Sequence, residues 1–283
     1  MDFKKITEVL VTAKAVQYVM IAVLLIGAFF LPRLAVNQET EAARQEAMAE
    51  VQQLKNSQQS GGNAQAAKGT IVLDPGHGGD DPGMIGESGI NEKKLNLIYA
   101  KKLQTLLEAK GYRVVLTRET EEGLYDADAA HKKAQDMQRR VAIIAEEAPL
   151  ITVSIHQNSY QDPAVSGPQV FYYEHSAEGQ KLAKSIQDRM NSELSEARSR
   201  VEKSNSSYYI LKRSQGTTVI VECGFLSNPE EEARLQEEAY QDRVCAAVCA
   251  GILQYLDEHS EAGRIDPSQA QNPRKILESS FAL

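Results

Sequence analysis

Apolar residues follow two different rhythms along this chain. From Ala15 to Leu31 the sequence reads AVQYVMIAVLLIGAFFL, with no charge at all. As a helix rising 1.5 Å per residue it would reach roughly 26 Å, close to the ~30 Å hydrocarbon core of a bilayer. Lys4, Lys5 and Lys14 precede the run and Arg33 follows it closely. The positive-inside rule then predicts a cytoplasmic segment over 1–14, a single-pass signal anchor over 15–36, and everything beyond on the extracytoplasmic side of the cell membrane. A cleaved signal peptide, giving a secreted form, is the alternative. It would have an apolar run of about 7–15 residues before a small-x-small site. Pro32, Arg33 and Leu34 supply no such site.

From residue 69 the rhythm changes to short apolar runs alternating with stripes at helical spacing. Thr70–Leu73 (TIVL), Tyr112–Thr117 (YRVVLT), Leu150–His156 (LITVSIH), Gln169–Tyr173 and Thr217–Val221 (TTVIV) read as strands. Asn91 is placed to cap a helix striped by Leu95, Ile98, Leu103, Leu106 and Leu107, with Gly111 ending it. A helix over 132–147 presents Ala134, Met137, Val141 and Ile144. Another carries Leu182, Ile186, Met190 and Leu194. Asn228 and Pro229 open a further turn, and Val244, Val248, Ile252 and Leu256 stripe the final helix. This alternation predicts a three-layer α/β/α domain with a largely parallel central sheet over 69–258. Residues 37–68 are polar, rich in Gln and Glu, and broken by Gly61 and Gly62, so they read as a stalk or linker. Residues 259–283 hold Pro267 and Pro273 and read as a C-terminal tail.

Composition narrows the function classes. Hydrophobic residues make up 42% of the 283 and charged residues 25%, which excludes wholesale disorder. Lys and Arg number 31 against 39 Asp and Glu, a formal charge of -8, so no nucleic-acid partner is expected. The three cysteines, Cys223, Cys245 and Cys249, form no CxxC pair, which excludes four-cysteine zinc modules and disulfide scaffolds. Cys245 and Cys249, on one helix beside Val244 and Val248, read as small core residues.

The candidate chemistry lies where strands end. TIVL runs on to His77, LITVSI ends at His156 and TTVIV ends at Glu222, while Glu92 opens the helix after Asn91. Sites in open α/β sheets collect beyond the carboxyl ends of the strands. Two imidazoles with one carboxylate form a three-ligand zinc set that leaves a position open for water. Nitrogen ligands argue against Mg2+ and Ca2+. Glu87 and Glu92 both follow His77 closely, and the residues alone leave the choice between them open. DPGHGG could be a phosphate cradle, but no GK[ST] follows it, so the P-loop mechanism is absent.

These stretches, LDPGHGGDDPG (73–83), NEKKLNLIYAKKL (91–103), LTR (116–118), SIHQNS (154–159) and VECGFLSNPEE (221–231), resemble the zinc-dependent N-acetylmuramoyl-L-alanine amidases that cleave bacterial peptidoglycan. The resemblance covers 69–258. It implies one Zn2+ held by His77, Glu92 and His156, with Glu92 preferred over Glu87, and Glu222 as the catalytic carboxylate. Arg118 and Asn158 would orient substrate or brace the site. The membrane-anchored architecture is most similar to sporulation-associated members acting on spore cortex.

By the same resemblance, Glu222 would take a proton from the water attacking the amide between muramic acid and L-alanine, and return it to the leaving amine. The partners implied are peptidoglycan and, through the N-terminal helix, the membrane, with room for an activating protein. Two other readings compete: an inactive membrane-tethered wall-binding scaffold, and a zinc peptidase cutting stem peptides. The chain departs from the family pattern in KRSQGTTVIVE, where Gly216, Thr217 and Thr218 replace a proline and small apolar residues, and at Cys223, which replaces an aliphatic residue. Both departures are expected to alter substrate access. Segment 119–138 does not align with the family. Of the remaining histidines, His131 is expected on the surface, His175 just past a strand as a minor site candidate, and His259 in the tail.

Overall fold

The computed structural model describes residues 67–260. The expected anchor, nearly all of the expected stalk and the segment after Ser260 lie outside the described residues. Among the described residues no helix is long and apolar enough to cross a membrane.

Six strands, β1 (Thr70–Pro75), β2 (Arg113–Leu116), β3 (Ile151–Asn158), β4 (Gln169–Tyr173), β5 (Lys203–Asn205) and β6 (Thr217–Phe225), form one sheet in the order β2-β1-β3-β6-β4-β5. β2, β1, β3 and β6 run parallel. β4 is antiparallel to β6, and β5 runs parallel to β4. The sheet is therefore mostly parallel, with a reversed edge pair. The helices are α1 (Glu92–Ala109), α2 (Lys132–Glu147), α3 (Ala177–Glu193), α4 (Tyr209–Arg213), α5 (Pro229–Leu235) and α6 (Glu238–Ser260).

Alternation along the strands sorts the core into two layers, since successive side chains in a strand point to opposite faces. Ile71, Leu73, Val153, Ile155, Val219 and Val221 pack with residues of α1, α3 and α6, among them Leu95, Leu103, Ile186 and Ile252. Val72, Phe171 and Ile220 face the other way, against Ile144 of α2 and Ile210 and Leu211 of α4.

Several expectations are corrected. In α2 the expected stripe holds at Ile144, which is buried, and at Met137, which packs against the same core, but Ala134 is exposed and two charged residues, Asp136 and Arg140, are buried beside Ile144. Arg140 is held inward by two buried acids, Asp74 and Asp136. Asn91 occupies the N-cap position of α1, but its side chain accepts no capping bond. Asn228, by contrast, accepts the Glu231 N–H, with Pro229 in the first turn. α6 runs to Ser260, so His259 belongs to its last turn rather than to a tail. There it pairs with Glu178 and stacks on Tyr255. β5 and α4 carry no apolar periodicity of their own and went unanticipated.

Candidate metal centre

The site forms where the α2-facing side of the sheet turns polar toward the strand ends. Asp74 is in register with Ser154, Ser154 with Ile220, and His156 with Glu222. Beyond β1 the chain enters the loop carrying His77, whose φ of 62° puts a non-glycine residue in the left-handed region. Such a conformation costs about 1–3 kcal/mol and persists only where its surroundings over-determine it. Two buried arginines do so here. Arg140 donates to the carbonyls of Pro75 and His77, and Arg118 to those of Pro75 and Gly76. Arg140, 1% exposed, is itself held by Asp74 at 2.7 Å and Asp136 at 2.6 Å.

Glu92 is the hub of the cluster. His77 Nε2 lies 3.1 Å from its Oε2 and His156 Nδ1 lies 3.0 Å from its Oε1. The two imidazoles stand edge to face with ring centroids 5.0 Å apart. Backbone N–H groups of Met84 and Gln157 and the Asn96 side-chain amide also donate to the Glu92 carboxylate. Burial works to raise the Glu92 pKa, but the hydrogen bonds and charges of His156 and His77 outweigh it and hold the group far below its ordinary value of 4.5. His77 shows the counterpart: burial lowers its pKa, but Glu92 and Asp81 win and raise it. Two glycines permit this crowding. A Cβ on Gly76 would lie 2.1 Å from the His156 ring, and one on Gly83 would lie 2.4 Å from Glu92 Oε2.

The three side chains offer ligand atoms all within 4.8 Å of one another, so they can close around one metal ion. Their donor chemistry, two imidazoles and one ionised carboxylate, is a zinc set. Glu222 lies beside them, 6% exposed, with Oε2 buried and lacking a hydrogen-bond partner. Burial first, and then the negative charge of Glu92, push its pKa well above 4.5. A cation in the cluster would relieve both effects, so this orphaned carboxyl also fits a metal. All four residues line one cavity of about 910 Å³.

The remaining candidates separate. Asn158 lines the cavity. Arg118 does not: it is 3% exposed and its donors go to the carbonyls of Pro75, Gly76, Lys93 and Thr120, so of the two roles expected for it only bracing fits the geometry. Glu87 is exposed and meets Glu232 through its backbone, away from His77. Cys223 points into the apolar layer, because it follows Glu222 on the strand and faces the opposite side. Cys223, Gly216, Thr217 and Thr218 do not line the cavity, so the expected effect on substrate access finds no support in its walls. His131 is exposed at the start of α2, and His175 is 72% exposed beside Glu174.

Sequence reasoning missed Arg140, since an Asp136–Arg140 pair spaced four apart looks like any solvated helix pair. It also missed Tyr208 and Tyr209 on the cavity rim, and the wall supplied by the unaligned segment through Tyr125, Lys132 and Lys133.

A mostly parallel α/β sheet bearing a His–Glu–His cluster and a buried carboxylate at its strand ends defines an α/β enzyme with a metal-type hydrolytic site. The sequence signature of the N-acetylmuramoyl-L-alanine amidases matches residues 71–254. The chain belongs to that family, and its enzymatic class is that of an amidase acting on peptidoglycan. It is 36% identical to the germination-specific N-acetylmuramoyl-L-alanine amidase of Bacillus subtilis (strain 168), over 68% of this chain and 81% of that protein. It is 31% identical to the amidase LytC of the same organism, over 66% of this chain and 35% of the relative. Among solved structures, the CwlD amidase from Clostridioides difficile, determined in complex with the GerS lipoprotein, aligns with a TM-score of 0.65 and 34% identity. That alignment covers 68% of this chain and all of the other.

Proposed function

We propose that this chain is a zinc-dependent N-acetylmuramoyl-L-alanine amidase tethered to the outer face of the cell membrane and acting on spore-cortex peptidoglycan. The observation that carries the chemistry is the convergence of His77 and His156 on the two oxygens of the buried Glu92, beside an unpartnered Glu222 in one cavity. In this reading His77, Glu92 and His156 hold the metal. When bound, zinc supplies a Lewis acid for water and the amide carbonyl and a cation that favours the ionised form of Glu222. Glu222 then takes the proton of the attacking water at its free Oε2 and returns it to the leaving amine nitrogen of L-alanine. The cavity walls, with Asn158 on one side and Tyr208 and Tyr209 on the rim, receive the muropeptide.

The charge-free run at 15–31 and the lysines before it support an anchor over 15–36. A cytoplasmic 1–14, a stalk over 37–68, a catalytic domain from residue 69 through the last helix, and a tail beyond it complete the organisation. Similarity to a germination-specific amidase supports the cortex as substrate, and similarity to an amidase solved with a lipoprotein supports a protein partner.

Digestion of purified peptidoglycan tests the activity. New N-terminal alanine with intact stems is the expected product. A cut stem would indicate a peptidase, and no product a scaffold. Protease added to intact protoplasts should degrade the catalytic domain. Full protection would overturn the topology, and recovery of the domain in the medium would indicate a cleaved, secreted form.

A further inference from the structure

The His77 ring is shared between two carboxylates. Its Nε2 faces Glu92 inside the cluster, and its Nδ1 lies 3.1 Å from Asp81 Oδ2 outside it. Among the described residues His156 has no such second acid and pairs with Glu92 alone. Asp81 is itself fixed from three directions. Its backbone closes a two-way bridge with Gly78, at 3.0 and 3.1 Å. Its Oδ1 accepts the Gly83 N–H at 3.1 Å. Its Oδ2 also meets Lys133 Nζ of α2 at 3.2 Å.

An imidazole whose Nδ1–H is donated to a carboxylate is locked in one tautomer, with the Nε2 lone pair aimed away from that acid and made more basic. The His77 backbone is in the left-handed region, and each nitrogen of its ring faces a carboxylate. We infer that Asp81 is a positioning residue of the metal centre, holding His77 so that Nε2 points into the site shared with Glu92 and His156, and that Lys133 tempers its charge. This rests on the zinc reading above. It assigns a task in that site to the unaligned segment, which delivers Lys133 to Asp81.

The alternative is that Asp81 merely closes a turn. Zinc affinity, read on the full-length chain by competition with a chelator, separates the two. Asp81→Asn keeps an acceptor for the Gly83 N–H but loses the charge, and should bind zinc about 10–100-fold more weakly. Asp80→Asn, next door and paired with Lys132 rather than with a histidine, should bind like wild type. Lys133→Met removes the competing cation, leaves the loop untouched, and should bind about two- to five-fold more tightly. A turn-closing role would instead lower the melting temperature of the metal-free Asp81→Asn chain and leave Lys133→Met without gain. Wild-type zinc binding matched by Asp81→Asn overturns the Asp81 assignment alone. A wild-type chain that takes up no zinc overturns it together with the zinc reading.

Discussion

On the side of the sheet covered by α1, α3 and α6, Ile71, Leu73, Val153, Ile155, Val219, Val221 and Cys223 are buried among apolar neighbours. On the side covered by α2 and α4, the intervening positions pass from Val72 to Asp74, from Thr152 through Ser154 to His156, and from Ile220 to Glu222. The same strands build both faces, so the contrast isolates what each layer contributes. The apolar layer can only stabilise. The polar one carries a left-handed histidine, an orphaned carboxyl and a buried arginine between two acids, each a cost that a purely structural sheet would avoid. Chemistry is concentrated where the second layer opens into the cavity, and the first layer offsets the strain.

The largest expected effects test whether the polar face is functional. On the proposed zinc reading, in which three ligands would become two, His156→Ala should lose most bound zinc and all measurable turnover. Glu222→Gln should keep zinc yet slow turnover at least 10²–10⁴-fold, the usual worth of a general base. Metal content and muropeptide release measure both. A Glu222→Gln enzyme with near-normal turnover would break the contrast.

Arg140 is the exception on that face, and it should behave structurally. Arg140→Ala strands Asp74 and Asp136 without their partner, and should cost about 3–5 kcal/mol in a denaturant titration. A loss well under 1 kcal/mol would mean that the loop of His77 is held by something else. On the apolar face, Ile186→Ala in α3 should cost about 2–5 kcal/mol by the same measurement while leaving turnover per folded molecule unchanged.

A pH experiment sharpens the comparison further. In metal-free protein the folded-state pKa of Glu222 is raised above 4.5, so the native state holds its proton more tightly than the unfolded chain does. Its contribution to stability is thus present below pH 4.5 and falls as pH rises toward the folded value. Glu92 has the opposite sign: its contribution is present above pH 4.5 and fades as pH falls below it. The melting temperature of metal-free Glu222→Gln should therefore exceed that of wild type by a margin that grows as pH rises above 4.5. A constant margin would place Glu222 in water. The smallest effect belongs to its neighbour on the strand: Cys223→Ala should cost about 1 kcal/mol and leave turnover unchanged.

Much of this is legible in the sequence. Strand and helix positions follow from local periodicity. The Lys132–Glu147 helix and the Gln169–Tyr173 strand fall where the apolar spacing puts them. His156 and Glu222 announce themselves as polar groups closing apolar runs, Glu92 as a carboxylate opening a helix, and His77 as an imidazole in the loop that follows a strand. The reversed direction of β4 and the short β5 were not legible, because pairing direction is a property of the neighbour across the sheet and not of the strand.

What the sequence by itself determined is therefore the order of the elements and the residue types that could meet at the strand ends, since these rest on contacts between residues close along the chain. Only the tertiary structure decided that Asp136 and Arg140 of α2 are buried, and that Arg118 and Arg140 brace the His77 loop while Asn158 lines the cavity. Those outcomes depend on contacts across long separations: Arg140 meets Asp74 from 66 residues away, and Arg118 meets Pro75 from 43. An arginine reads the same in sequence whether water or a buried carboxylate awaits it, and only the assembled sheet brings the carboxylate there.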